Sequence, residues 1–383
     1  MKNLFIIICF IFITSCNSAK KTSENKTVID ASTEISSTKT APIQAMVEAF
    51  SKINNDAGVI LLKQSNGKSS IYSAGYANAE TKEKVNENYL FEIGSASKLF
   101  TAIAIMQLIE DGKLSLNTKV STLYPTGNIQ KLAEQKGENY WDKVTVQMLL
   151  NHTTGFIDYL NAYGDEETLR LFNNSKKQYS FNDIINLSIE FGDASFIPDS
   201  KFGYSNTNYI ILGDIISKIS KTPWRTYIEE YIFKKADLKN TFFGSKMSQE
   251  QKERLATGYY NKQITNIPYT LAGSAGSIVS NVYDLQKFIT YWADAKFYKN
   301  SDTFNKQITT GVHNMYPGTD MLKYALGVFK LGGTVGHPGQ TFGFQSHLAI
   351  NPITKNSYII LVNNAKASST ELLMELLELE KRK

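Results

Sequence analysis

Strand signals lie at both ends of this chain, with a long helical stretch between them. Near the start, Gly58-Val59-Ile60-Leu61-Leu62 and Ser70-Ile71-Tyr72-Ser73-Ala74 flank Asn66-Gly67, a dipeptide that accepts the left-handed φ values of a two-residue hairpin turn. Near the end, Tyr324 to Lys330, Thr334 to His337, Phe344 to Ile350 and Tyr358 to Val362 read as strands. A sheet must bury at least one face against other elements, so the two sets are expected to meet in one sheet. The expected fold is an α/β domain whose sheet comes from about 42–98 and 322–383, with a large, mostly helical insertion at about 99–320. Pro42 opens a helix over Ile43 to Phe50 from a permitted first-turn position, and an amphipathic helix over Leu372 to Leu377 closes the chain. Within the insertion, Tyr209 to Lys218 is a clear buried helix. No internal repeat is visible.

The N-terminus reads as an address. Lys2 is followed by an apolar run from Leu4 to Ile13, too short for the ~30 Å core of a bilayer but suited to a signal peptide. The run ends in Ile13-Thr14-Ser15-Cys16, which resembles a bacterial lipoprotein cleavage box. Residues 1–16 are therefore expected to be a signal peptide, with Cys16 lipidated and the protein held in the cell envelope, outside the cytoplasm. Residues 17–41 contain ten Ser/Thr and no apolar periodicity. Such a stretch cannot offset its ordering entropy by burial and reads as a flexible tether to a catalytic body at 42–383.

Composition removes several alternatives. The 41 basic and 36 acidic side chains leave a net charge of +5 with no dense basic stripe, a poor footprint for nucleic acid. Only Cys9 and Cys16 exist, so neither a disulfide framework nor a cysteine-ligated zinc site holds the body together. No metal or organic cofactor is implied, and the oligomeric state is left open.

Three short motifs carry chemistry. Ser95-Ala96-Ser97-Lys98 places serine and lysine on one helix face, where a desolvated lysine acts as a base toward the hydroxyl. Ser-x-x-Lys also starts at Ser18, Ser23, Ser36 and Ser65, but only Ser95 leads into an apolar helical run, Leu99 to Met106. In Tyr204-Ser205-Asn206 a phenol can relay protons, and the Asn206 amide can hold the lysine or a substrate amide. His337-Pro338-Gly339 closes a short strand ahead of Gln340-Thr341-Phe342-Gly343. Gly339 would let a substrate backbone approach, and a nearby N–H could complete an oxyanion hole with that of Ser95.

In this order the motifs resemble the serine β-lactamase and penicillin-recognising superfamily, in the branch holding class C β-lactamases, D-alanyl-D-alanine carboxypeptidases and related esterases. Phe91-Glu92-Ile93-Gly94-Ser95, Val144 to Gly155, Phe202 to Tyr209 and Gly273 to Ser280 are similar to further signature segments, so the resemblance runs from about residue 43 to 380. It implies an antiparallel sheet flanked by the N- and C-terminal helices, with a helical insertion. It also implies Ser95 as the acylated nucleophile, Lys98 as its base and Tyr204 as the proton relay, with Asn206 beside it. His337 stands where β-lactamases carry the lysine of Lys-Thr-Gly, and Pro338 replaces the threonine, which removes a hydroxyl and a ladder N–H. His337, Gly339 and Gln340 are the remaining substrate-binding candidates. With an ordinary pKa of ~6.5, His337 is expected to be mostly neutral near pH 7, which shifts the expectation from β-lactam hydrolysis toward a peptidase or esterase. His152 and Thr153 are expected to be structural, in a loop beneath the site. The implied activity is hydrolysis of esters or amides, such as D-amino-acid peptides or β-lactams, through an acyl-enzyme. The alternatives are a true class C-like β-lactamase and a penicillin-binding or envelope-interaction lipoprotein with little turnover.

Overall fold

Asn66 and Gly67 turn the chain with φ of 50° and 75°, and β1 (Val59–Ser65) and β2 (Lys68–Ala74) run antiparallel from that turn with Ser65 opposite Lys68. The computed structural model describes residues 31–382. From the far end come β3 (His313–Asn314), β4 (Leu322–Tyr324), β5 (Phe329–Leu331), β6 (Thr334–Gln340), β7 (Gln345–Ile350) and β8 (Ser357–Val362). All eight form one sheet in the order β3-β4-β5-β6-β7-β8-β1-β2, and every neighbouring pair is antiparallel. Val59 faces Val362 and Gln64 faces Ser357, so the two ends of the chain join along this seam.

The helices that position the site are α1 (Ala31–Ile53), α2 (Ser97–Glu110), α3 (Asn206–Ser220), α4 (Tyr269–Gly276), α5 (Val282–Ala293) and α6 (Ser369–Lys381). Side chains alternate across a strand, and the two faces of the sheet bury different partners. Val59, Leu61, Ile360 and Val362 pack with Ile43, Val47 and Phe50 of α1 and with Leu372, Leu373 and Leu376 of α6. Ile60, Leu62, Ile359 and Leu361 face the other way, into the core shared with α2, α3 and α5. Every residue of α2 from Ser97 to Leu108 is buried, the pattern of a helix enclosed on all sides.

Two sequence expectations change. The strand expected over 324–330 is two strands, because the chain folds back between them and the Ala325 N–H donates to the Val328 carbonyl at 2.8 Å. Ala325, Leu326 and Val328 are wholly buried against the helical layer, so this turn carries apolar residues and lacks the polar punctuation of an exposed one. The second change lies at residues 31–41, expected to be unstructured but helical here, which places Pro42 inside α1. Extending a helix from an existing one needs no new nucleus. The chain divides into two units, Met1–Ala41 and Pro42–Lys383. The expected signal segment, with Cys9 and Cys16, lies outside the described residues. Among the described residues no helix is long and apolar enough to cross a membrane.

Candidate active site

Ser95 lies in a 3-10 turn, Gly94–Ala96, that runs directly into α2. The short strand Phe91–Glu92 ahead of it pairs with Ile278–Ser280, and the Ile93 N–H donates to the Ile278 carbonyl at 3.0 Å. Strand β6 supports the turn from the other side. A β-carbon on Gly339 would lie 1.8 Å from the Ile93 carbonyl oxygen, and one on Gly94, whose φ is +50°, would lie 2.5 Å from the Gln340 oxygen. The two glycines let β6 lie flush against the turn that presents Ser95. Gly339 thus makes room for Ile93, not for the substrate backbone expected from the sequence.

The register of β6 decides where its N–H groups point. Thr341 N–H donates to the Phe344 carbonyl at 2.9 Å, and bonded and open pairs alternate along an antiparallel ladder. Opposite Ser346 and Leu348 of β7, Gly339 and His337 therefore bond to that strand, whereas positions 338 and 340 face the opposite edge. Strand β5 accompanies that edge only as far as Gly336. The Gln340 N–H is left directed away from the ladder, beside the nucleophile turn. Pro338 falls on the same open edge, so the ladder hydrogen bond expected to be lost was never required there.

Lys98 is wholly buried on the first turn of α2. Its Nζ donates to Asn206 Oδ1 at 2.6 Å, to the Ala275 carbonyl at 2.9 Å and to Ser95 Oγ at 2.9 Å. Three acceptors match the three donors of an ammonium. A neutral amine can keep the two amide-oxygen partners and turn its lone pair to the Ser95 hydroxyl. Burial favours that form and lowers the Lys98 pKa from 10.5 to about 7, against the opposing pull of the Asp158 carboxylate. Tyr204 is pushed the other way: burial drives its phenol well above 10, and a hydrogen bond with Ser95 offsets only part of this. Lys98 Nζ lies 5.0 Å from the centre of the Tyr204 ring. Near neutrality the lysine can therefore lose its proton and become a neutral amine, whereas Tyr204 stays a neutral phenol.

The sequence left open whether Asn206 holds the lysine or the substrate. Its oxygen accepts from Lys98, while its Nδ2 donates to the Asp158 carboxylate at 3.1 and 2.9 Å. Both ends of the amide are occupied, which assigns it to the lysine.

His337 departs furthest from expectation. It is 1% exposed, with Nε2 2.8 Å from the Tyr324 hydroxyl and Nδ1 2.5 Å from the Pro338 carbonyl oxygen. Burial, aided by the Lys98 charge, lowers its pKa from 6.5 to about 3. It is therefore a neutral core residue at physiological pH and cannot supply the cation that a lysine would supply there. His152 supports Tyr204 from below: the rings lie 4.3 Å apart, and His152 Nδ1 accepts from the Ser205 N–H at 3.2 Å. Gln340 ends β6 with an exposed side chain. Cys16 is outside the described residues. Among the described residues no cluster of three or more His, Cys, Asp or Glu could hold a metal ion.

Two participants escaped the sequence reading. The Ala275 carbonyl lay within a similar segment, Gly273 to Ser280, but a backbone oxygen has no residue signature. Asp158 lies just beyond the similar stretch that ends at Gly155, and only the fold carries it to Asn206.

The family model described as Beta-lactamase matches residues 43–380. A penicillin-binding protein of Bacillus subtilis (strain 168) is 30% identical over 221 residues, 57% of this chain and 45% of the relative. Protein flp of Staphylococcus aureus (strain MW2) is 26% identical over 84% of this chain and 62% of its own length, so the chain spans only part of these two relatives. D-amino acid amidase from Ochrobactrum anthropi SV3, complexed with L-phenylalanine amide, superposes with a TM-score of 0.75 at 23% identity, covering 90% of this chain and 98% of the amidase.

Proposed function

The chain belongs to the beta-lactamase family, and from that premise we propose that it is a serine hydrolase that forms an acyl-enzyme on Ser95 and acts on amides or esters of D-amino acids or short peptides. The reading rests on the buried Lys98 amine held 2.9 Å from Ser95 Oγ with its pKa lowered to about 7. A general base works best when its pKa lies near the working pH. Neutral Lys98 takes the Ser95 proton as Oγ bonds to the carbonyl carbon. The carbonyl oxygen gains negative charge where the N–H groups of Ser95 and Gln340 can meet it, a form of stabilisation worth about 3–4 kcal/mol per donor in other hydrolases. When the intermediate collapses, the leaving amine or alkoxide takes a proton through Tyr204, and water reverses the steps to free Ser95.

The substrate class follows from the missing cation. A neutral, buried His337 and the absent hydroxyl at Pro338 remove the grip on a substrate carboxylate that Lys-Thr-Gly would provide. This supports uncharged amides and esters over β-lactams, and the likeness to an amidase for D-amino acids supports the same class. We place the protein in the cell envelope through lipid on Cys16. The test is to incubate the purified protein with D-phenylalanine amide, a short-chain ester, a D-Ala-D-Ala peptide and cephalosporins, following turnover and protein mass. Turnover of the amide or ester with a transient acyl mass on Ser95 is expected; no acylation by any of the four overturns the reading.

A further inference from the structure

The geometry points to Asp158 as a positioning residue for acylation: its carboxylate engages the amide nitrogen of Asn206, which turns the Asn206 oxygen to Lys98 and aims the lysine at Ser95. The inference rests on the proposed role of Lys98 as the base for Ser95.

A side-chain amide has one accepting and one donating end, and either could have faced the lysine. A carboxylate only accepts. With both Asp158 oxygens within 3.1 Å of Asn206 Nδ2, the nitrogen is committed to Asp158 and the oxygen is left for Lys98, at 2.6 Å. A flipped Asn206 would set an N–H against the ammonium and leave the Lys98 nitrogen without one of its acceptors. Asp158 is itself fixed in place. Its Oδ1 accepts from the Leu160 N–H at 3.0 Å and its Oδ2 from Asn161 Nδ2 at 2.7 Å. The neighbouring Tyr159 hydroxyl anchors the loop on the Leu271 carbonyl at 2.6 Å, close in sequence to the Ala275 carbonyl that also receives the lysine. These donors, with Asn206 Nδ2, hold both carboxylate oxygens.

The same carboxylate is the countercharge of the lysine. The titratable groups facing Lys98 are Asp158 from this loop, Tyr204 and Tyr209 around α3, His152, and His337 from β6. Burial keeps both histidines and both phenols uncharged near neutrality. Asp158 is left as the one of these groups whose charge favours the ammonium. Burial raises its own pKa, and the hydrogen bonds from Asn206 and Leu160 together with the Lys98 charge oppose that rise and favour the carboxylate. Removing that charge while leaving an amide in its place should therefore have two effects with one origin. Acylation slows because Asn206 loses its fixed orientation, and the pH at which acylation reaches half its plateau falls because the ammonium is held less firmly.

The experiment is fluorophosphonate labelling of the full chain across pH 5–9, with kcat and KM for a turned-over ester, in wild type, Ser95→Ala and Asp158→Asn. For Asp158→Asn we expect labelling and kcat to fall on the order of 10–100-fold, the loss a misplacement of about 1 Å produces. KM should be nearly unchanged, and the pH midpoint should lie below that of wild type. A rate loss with an unmoved midpoint would make Asp158 only a structural residue and overturn the assignment. Should Asp158→Asn fail to fold, Asp158→Glu keeps the charge but displaces it, and wild-type kcat in that variant would equally overturn it. Wild-type protein that takes no label on Ser95 removes the serine-hydrolase reading itself. Labelling of Ser95 with Asp158→Asn indistinguishable from wild type removes only the role of Asp158.

Discussion

Gly339 lies directly against the carbonyl of Ile93: a β-carbon on it would come within 1.8 Å of that oxygen and 2.4 Å of Ser346 Oγ. Ser346 Oγ already donates to the same carbonyl at 2.8 Å, so β6 and β7 both meet the residue two before the nucleophile. Gly339→Ala must part β6 from the Ser95 turn. It should cost about 1–3 kcal/mol of stability, as overpacking does, and slow acylation at least ~10-fold by moving the Gln340 N–H. Thermal melts and labelling rates on the same variant check both effects.

Ser95→Ala should abolish the adduct formed by a fluorophosphonate. Lys98→Ala should keep Ser95 but lower its acylation on the order of 10²–10⁴-fold, the range of a lost general base. Mass spectrometry of each variant separates them: no adduct in the first, a slow one in the second. Rapid labelling of the lysine variant would mean that another group takes the proton.

Acylation should rise with pH through about 7. Lys98 is a base only when neutral, and its pKa is lowered to about 7. Below that value the rate should fall about tenfold per pH unit, and above it the rate should level off. A profile centred near 10, the ordinary value for lysine, would show that burial does not tune this group in solution.

His337 should not titrate in the working range. With its pKa lowered to about 3, it is neutral from pH 6 to 8, so the ratio of kcat/KM for an anionic and a neutral substrate should stay constant over that interval. Lys98 titration affects both substrates alike and cancels in the ratio. His337→Lys would place an ammonium in a buried position that faces Lys98, so a lower Tm is expected in place of a gain in carboxylate affinity.

Cys16→Ser should release the protein from the membrane fraction or leave its signal segment uncleaved. Fractionation with mass analysis of the N-terminus reads the outcome. Wild-type protein found wholly in the soluble fraction without lipid would remove the anchor.

Local pattern determined a large share of this protein. Asn66-Gly67 specified its hairpin because two residues with positive φ suffice to reverse two strands. Ser95 and Lys98 were legible as a pair because helical spacing alone puts residues three apart on one face. Strand signals at both ends required a shared sheet because neither set could bury a face alone. The fold decided what depends on distant partners. His337 looks the same in sequence whether it faces substrate or Tyr324, and only its burial in β6 keeps it neutral well below its ordinary pKa. Gly339 carries no mark of whether its missing side chain admits a ligand or the Ile93 carbonyl. The Ala275 oxygen and the Asp158 carboxylate reach Lys98 and Asn206 from far along the chain. Their effect on the base comes from low-dielectric surroundings that exist only once α2 is enclosed. Residue spacing reports neighbours along one element, whereas burial, register and the choice among hydrogen-bond partners arise between elements.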